Sequence, residues 1–353
     1  MQTHFLKALY GDAIWITYAD IKGIPRNIII DGGPSAAYVK KNKKGKLEYG
    51  ALFETIDLIR GGGQKIDLLI LTHVDDDHIK GLLAWMEHDA DAISLIEKVW
   101  FNSGKLIFEF FKKTPVKEYE LSLLPVGITN TGISEGVTFE KLIQEKKEIW
   151  NHEVIMQGQT IFLHDLKFCI LSPDKTGLEE LLTKWKEKEP ESLTAVAKDY
   201  SKTLMELLEG DKYVKDSSIH NGSSIAFILS YKDKSLLFLA DAHCEKVVAG
   251  LEHFGYTKEN PLVCEFVKVS HHGSKYNTND KVIERVSSPT FVISSDGSDH
   301  SPYKRTLARI IDAKKELNLY FNYQDLSKDI FLEEDFKAFP KLSILPKDYE
   351  FII

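Results

Sequence analysis

Residues 66–80 read IDLLILTHVDDDHIK, and this stretch decides the fold. Ile66 to Thr72 is a short, nearly continuous apolar run, the pattern of a strand buried on both faces. It delivers its last residues into HVDDDH. His73 and Asp75 stand two apart in an extended segment and so point to one side. Asp77 and His78 follow at the entry to the next helix, HIKGLLAWMEH. Imidazole nitrogens and carboxylate oxygens suit zinc, manganese and iron, and no cysteine belongs to the set. A solvated acidic turn would explain an isolated DDD, but not one that follows a buried strand between two histidines. A calcium loop is excluded, because Ile79 occupies its third acidic position and Lys80 its glycine.

Upstream, residues 3–9, 13–19 and 26–31 read as three strands, the third ending in NIIIDGG with Asp31 at its tip. KKNKKGK, Lys40 to Lys46, is a basic loop, and ALFETIDLIRGGG is a helix closed by glycines. Downstream, 102–150 mixes a loop with a helix near 135–148, and 153–171 carries two strands. The charged stretch 175–210, broken by Pro190, reads as a solvated helical insertion. After His220, SSIAFILSY and KSLLFLAD form a strand pair and 243–255 a helix. LVCEFVKVSHHG, TFVISSDG and LNLYFNY are further strands, and HSPYKRTLARIIDAKK is a helix. The expectation is an α+β fold over one domain, residues 1–353, with an insertion at about 102–215.

The 353 residues carry a formal net charge of −8. That argues against a broad duplex-binding surface, whose affinity comes from neutralising phosphates. It leaves a phosphate substrate open, since bound metal supplies positive charge locally. The three cysteines, Cys169, Cys244 and Cys264, match no zinc or redox spacing, and Cys169 and Cys264 lie in apolar runs as small core residues. No leader pattern and no spanning apolar run is visible, so a cytoplasmic protein with no membrane contact is expected.

Ligand-capable side chains recur at strand ends: Asp31, His73, Asp241 closing LLFLAD, His271 in KVSHHGS and His300 in SSDGSDHSPY. Sites assembled along one sheet edge arise in this way. An aspartate such as Asp241 is by itself as often a helix cap, and a lone His300 a surface residue; each gains weight from the companion motifs. In an extended chain His271 and His272 point to opposite sides, so one of them is expected to face the site.

HVDDDHIKG, FLAD, KVSHHGS and the late His300 together resemble the metallo-β-lactamase superfamily, and most of all its branch related to the nuclease-like domain of the competence protein ComEC. The resemblance implies a four-layer αββα sandwich with two divalent ions, Zn or Mn, at one edge. By carry-over, His73 and Asp75 hold one ion, Asp77, His78 and His300 the other, and Asp241 bridges them. Asp31 orients a ligand from behind. Asn221 and Ser274 line the site, Asn221 being preferred to its neighbour His220. His271 and His272 are assigned to substrate phosphate or the leaving group rather than to the metals. ComEC itself carries a membrane channel that this chain lacks, so a free-standing hydrolase is implied.

The implied activity is a phosphodiesterase or nuclease that uses a metal-activated hydroxide oriented by Asp77 and Asp241. Its partner is a nucleic acid or nucleotide substrate, with Lys275, Tyr276 and the Lys40–Lys46 loop near its phosphates. Two other readings compete. One is a lactam, lactone or thioester hydrolase of the same fold. The other is a non-catalytic, metal-stabilised module that binds a protein partner through the helical insertion.

Overall fold

A computed structural model describes residues 1–111, 131–144, 146–150, 153–184 and 198–353. Among these residues the chain builds two large sheets. The first has six strands in the spatial order Phe351–Ile352, Gln2–Phe5, Ile14–Ala19, Pro25–Ile30, Leu68–Ile70 and Val99–Trp100. The second has eight: Leu342–Ile344, Leu317–Phe321, Thr290–Ile293, Val267–Lys268, Lys234–Phe238, Ala226–Tyr231, Leu166–Ser172 and Thr160–Leu163. Two-residue alternation sorts their side chains into layers. Ile28, Ile30, Leu68 and Ile70 face inward and meet Phe168, Phe227, Leu229, Phe238 and Phe266 of the other sheet. Ile29 and Leu69 face outward, onto Leu52, Ile56, Leu82 and Trp85 of helices Ala51–Gly61 and Asp76–His88. On the far side Leu237, Phe291 and Leu319 pack beneath Val247, Leu251, Leu307 and Ile311 of helices Cys244–His253 and Lys304–Lys314. The result is the expected four-layer αββα sandwich.

Strand direction places the ligand-bearing ends together. Pro25–Ile30 runs parallel to Leu68–Ile70 in the first sheet. Lys234–Phe238, Val267–Lys268 and Thr290–Ile293 run parallel in the second. Their C-terminal ends therefore emerge along one rim of the sandwich. The Ile225 N–H donates to the Thr72 carbonyl at 3.0 Å and ties the two sheets there.

The middle of the chain differs from its sequence reading. Within the stretch expected as an insertion, the two strands read in 153–171 join the second sheet: Thr160–Leu163 is an edge strand, and Leu166–Ser172 pairs between it and Ala226–Tyr231. The flanks of 175–210 are not simply solvated. Leu178, Leu181 and Leu182 of helix Lys175–Lys184 enter the outer core of the first sheet, and Leu204 and Leu207 enter that of the second. Dense surface charge masked a narrow apolar face. Pro190 lies outside the described residues. All three cysteines are buried and free. No helix among the described residues is long and apolar enough to cross a membrane.

Candidate metal centre

The first half of the cluster is shaped by close backbone packing. Beyond Leu68–Ile70 the chain stays extended to Asp75, the N-cap of helix Asp76–His88. Two loops press on the first turns of that helix. The N–H of Gly32 donates to the His78 carbonyl at 2.8 Å, that of Gly81 to Gly33 at 2.7 Å, and that of Asp12 to Asp77 at 3.1 Å. A Cβ on Gly81 would lie 1.9 Å from the Gly32 oxygen, and one on Gly11 2.0 Å from the Asp77 oxygen. Only glycine permits these approaches, which lock Asp77 and His78 in place.

Asp241, buried beyond the end of Lys234–Phe238, comes from the second sheet and stands at the centre. Its Oδ1 is 3.4 Å from His78 Nε2 and 3.8 Å from His272 Nε2. Its Oδ2 is 3.8 Å from His73 Nε2 and 3.6 Å from His271 Nε2. Each oxygen therefore faces one histidine from each sheet. Asp75 Oδ2 lies 3.6 Å from His73 Nε2, and Asp77 Oδ2 lies 3.8 Å from His78 Nε2 and 3.1 Å from His272 Nε2. Two half-sites result: His73, Asp75 and His271 about Oδ2, and Asp77, His78 and His272 about Oδ1.

Each ring is held by its other nitrogen. His78 Nδ1 is 2.8 Å from Asp31 Oδ2, and His73 Nδ1 is 3.0 Å from the Thr72 hydroxyl, which itself donates to Asp31. The Thr72 N–H also donates to Asp31 at 2.8 Å, so one buried carboxylate orients two rings. His272 Nδ1 donates to the Ser294 carbonyl at 2.9 Å, and His271 Nδ1 to Asn277 Oδ1 at 3.0 Å. These bonds occupy Nδ1 and leave Nε2 to face the centre, where it can carry a proton or meet a metal ion. The buried Nε2 atoms of His73, His78 and His272, with Asp241 Oδ1, have no hydrogen-bond partner. Unpaired buried polar atoms are costly unless something fills the space between them. Converging imidazole nitrogens and carboxylate oxygens are the donor set of zinc, manganese and iron, and outer partners of this kind are what metal-binding histidines use. The described residues thus form a cluster able to hold metal. By atom separation alone, Asp12, His78, Asp241 and His272 bring ligand atoms within 4.8 Å of one another.

The histidine pair departs from its expected geometry. His271 and His272 lie in a tight turn, Ser270–Gly273, with φ of 49° and 53°. A left-handed turn does not alternate its side chains as a strand does, and both rings therefore face Asp241. Asp31 (φ 57°) and Ala240 (φ 44°) share this rare conformation. Such backbone persists only where the surroundings enforce it, and it gathers at functional sites.

Charge follows the same pattern. Burial opposes ionisation of Asp75, yet the hydrogen bond from His220, with the His73 ring close by, holds it well below the usual carboxylate range. Burial likewise opposes Asp77 and Asp241, and neighbouring imidazoles lower both. In return, against the effect of burial, Asp241 and Asp216 raise His271 to about 9, and Asp12 and Asp241 raise His272 to about 10. A cluster that holds protons this firmly exchanges them for a stronger cation as metal binds.

Of the other residues singled out from sequence, Asn221 lies 3.3 Å from His271 Nδ1 and donates to Asp216. His220 Nδ1 is 2.6 Å from Asp75 Oδ1, so both neighbours border the cluster. Ser274 closes the histidine turn, its N–H donating to the His271 carbonyl at 2.7 Å. His300 is half-buried in the loop before helix Lys304–Lys314, and among the described residues no hydrogen bond, ion pair or ring contact joins it to the cluster. The Lys275 ammonium lies over the Tyr276 and Tyr303 rings. The Lys40–Lys46 loop is the tip of the hairpin Val39–Lys41 and Leu47–Tyr49. Sequence reasoning passed over Asp12, Asp216 and Asn277. Asp12 in YGDAI has no companion ligand nearby, and Asp216 lies in an irregular segment; only their later neighbours reveal them.

Residues 25–153, which include HVDDDH, match a family model described as the metallo-beta-lactamase superfamily. The four-layer sandwich agrees with that fold. No curated protein matches the sequence. Similar solved structures include the metallo-beta-lactamase fold protein YhfI from Bacillus subtilis, at 8% identity and a TM-score of 0.40 over 100% of both chains. Zn(2+)-bound PqqB from Methylobacterium extorquens is 10% identical, with a TM-score of 0.42 and 100% of both chains covered. A mutant of the CmlA beta-hydroxylase is 12% identical, with a TM-score of 0.39, over 100% of this chain and 53% of that one.

Proposed function

We propose that this protein is a metal-dependent phosphodiesterase or nuclease, related to the ComEC-like branch, that uses two divalent ions, zinc or manganese. One observation carries the reading. Four histidine Nε2 atoms, two from each sheet, sit in pairs about the two oxygens of one buried carboxylate, Asp241. A structural site has no need of two such sets.

In this reading His73, Asp75 and His271 hold one ion, Asp77, His78 and His272 hold the other, and Asp241 serves both. Bound ions would supply Lewis acidity and a water of lowered pKa. The protein supplies orientation, through Asp31 behind His73 and His78 and through Ser294 and Asn277 behind the histidine turn. It also supplies access. The side chains of Asp75 and His271 are each 31% exposed, whereas His78 and His272 are buried, so substrate approaches over the first set. Asp75 in place of a further histidine makes that side harder and better suited to phosphoryl oxygen and manganese.

The test is a cleavage screen on metal-free protein reloaded with manganese or zinc. Substrates are single- and double-stranded DNA, RNA, cyclic nucleotides, a lactam and a thioester. Wild type is expected to bind close to two ions and to cleave a phosphodiester, and folded Asp77→Asn is expected to be inactive. Hydrolysis of the thioester or lactam without any phosphodiester cleavage would overturn the reading.

A further inference from the structure

Beneath the second half-site lies a buried ion pair that the chemistry above does not use. Lys268 Nζ is 2.7 Å from Asp12 Oδ2, and the two side chains are 1% and 2% exposed. A buried pair is weak evidence for stability, because desolvation of both charges offsets their attraction. Its surroundings suggest another purpose. Lys268 also donates to the carbonyl of Val269, the residue immediately before the histidine turn, at 3.1 Å. That leaves Asp12 Oδ1 without a hydrogen-bond partner, and it faces His272 Nδ1 at 3.5 Å. His272 Nδ1–H is already bonded to Ser294, so Asp12 acts on this ring as a fixed negative charge behind it. The backbone of Asp12 is also bonded to Asp77. Asp12 thus reaches two of the three residues assigned to the Oδ1 half-site, the ring of His272 and the backbone of Asp77, and among the described residues no hydrogen bond or ion pair joins it to His73, Asp75 or His271.

We propose that Asp12, pinned by Lys268, is a positioning residue for the half-site of Asp77, His78 and His272, and that it strengthens metal binding there and not at the half-site of His73, Asp75 and His271. This rests on the two-ion reading above. A carboxylate behind a metal-bound imidazole raises the basicity of the ring and fixes its direction, and losing such a partner typically weakens metal affinity about 10–100-fold.

The experiment is calorimetric titration of metal-free protein with Mn(II), without reference to turnover. Asp12→Asn combined with Lys268→Met removes both charges together, so that neither is left buried alone. In an Asp75→Ala background, where the Oδ1 half-site remains, this double change should weaken binding about tenfold or more. In an Asp77→Ala background the remaining affinity should stay within about twofold. The equally buried pair Lys304–Asp335, 2.6 Å apart and away from the cluster, provides the control. Lys304→Met with Asp335→Asn should alter neither affinity. Equal weakening in both backgrounds, or none in either, would overturn the proposal while leaving the two-ion reading intact. Wild-type protein that binds no Mn(II) would overturn both. If the charge-removing pair fails to fold, Asp12→Asn alone is titrated under the same criteria.

Discussion

At the scale of single residues, Asp241 and Asp31 do different work. Asp241 is shared by both half-sites, so Asp241→Asn should cost both ions, read as a fall from close to two toward zero in elemental analysis of folded protein. Asp31 is not one of the ligands assigned to either half-site and acts from behind the rings. It accepts from the Thr72 N–H and hydroxyl and pairs with His78, all in the buried interior. Asp31→Ala strands those groups, at a cost of about 1–3 kcal/mol for each buried group left unpaired. A lower melting temperature together with weakened metal binding is expected; unchanged metal affinity would remove Asp31 from its orienting role. Glu135, which shares Lys80 with Asp76, offers a pH test on a group that is no ligand. Burial, with Asp76 nearby, raises its carboxyl to about 7. The folded state therefore binds this proton more tightly than the unfolded chain does. Stability should fall as pH rises from about 4.5 through 7. Glu135→Gln should flatten that decline, by about 1 kcal/mol given partial exposure, in denaturant titrations at pH 5 and pH 8.

At the scale of elements, the decisive pieces are short irregular joints rather than strands or helices. The contact of Gly81 with the Gly32 carbonyl fixes where helix Asp76–His88 begins. Gly81→Ala forces a methyl into that backbone and should destabilise the fold by about 1–3 kcal/mol or more, measured as a shift of the denaturation midpoint. The same joints mark where sequence reading stopped. HVDDDH was legible because a buried strand, an extended segment and a helix start follow regular periodicities. Asp241 was legible as the tip of LLFLAD. The orientation of His271 and His272 was not, because two consecutive left-handed residues break the alternation from which their directions were inferred. Asp12 was not, because one aspartate before a strand resembles any turn residue until Lys268, more than two hundred positions away, is laid against it. The helical pattern of 175–210 is legible, but the few leucines that bury its helices Lys175–Lys184 and Leu204–Glu209 are outweighed by surrounding charge.

At the scale of the whole molecule, the sandwich depends on the interface between its sheets, where Phe227 packs against Phe168 and Phe238. Phe227→Ala should cost about 3–5 kcal/mol and should lower metal affinity as well, although the residue is no ligand. Metal should in turn stabilise the fold. Free ion at 100 times its dissociation constant adds about 2.7 kcal/mol per site, visible as a rise in melting temperature with added manganese and its reversal by chelator. Because each oxygen of Asp241 faces one histidine from each half of the chain, the centre has no contiguous address in the gene. A fragment ending before residue 220 carries HVDDDH without Asp241 or the histidine turn, and the complementary fragment carries those without HVDDDH. Recombination that exchanges one half for a relative's would have to preserve the fit of two separately inherited surfaces. Sequence drift in either half is therefore answerable to the other.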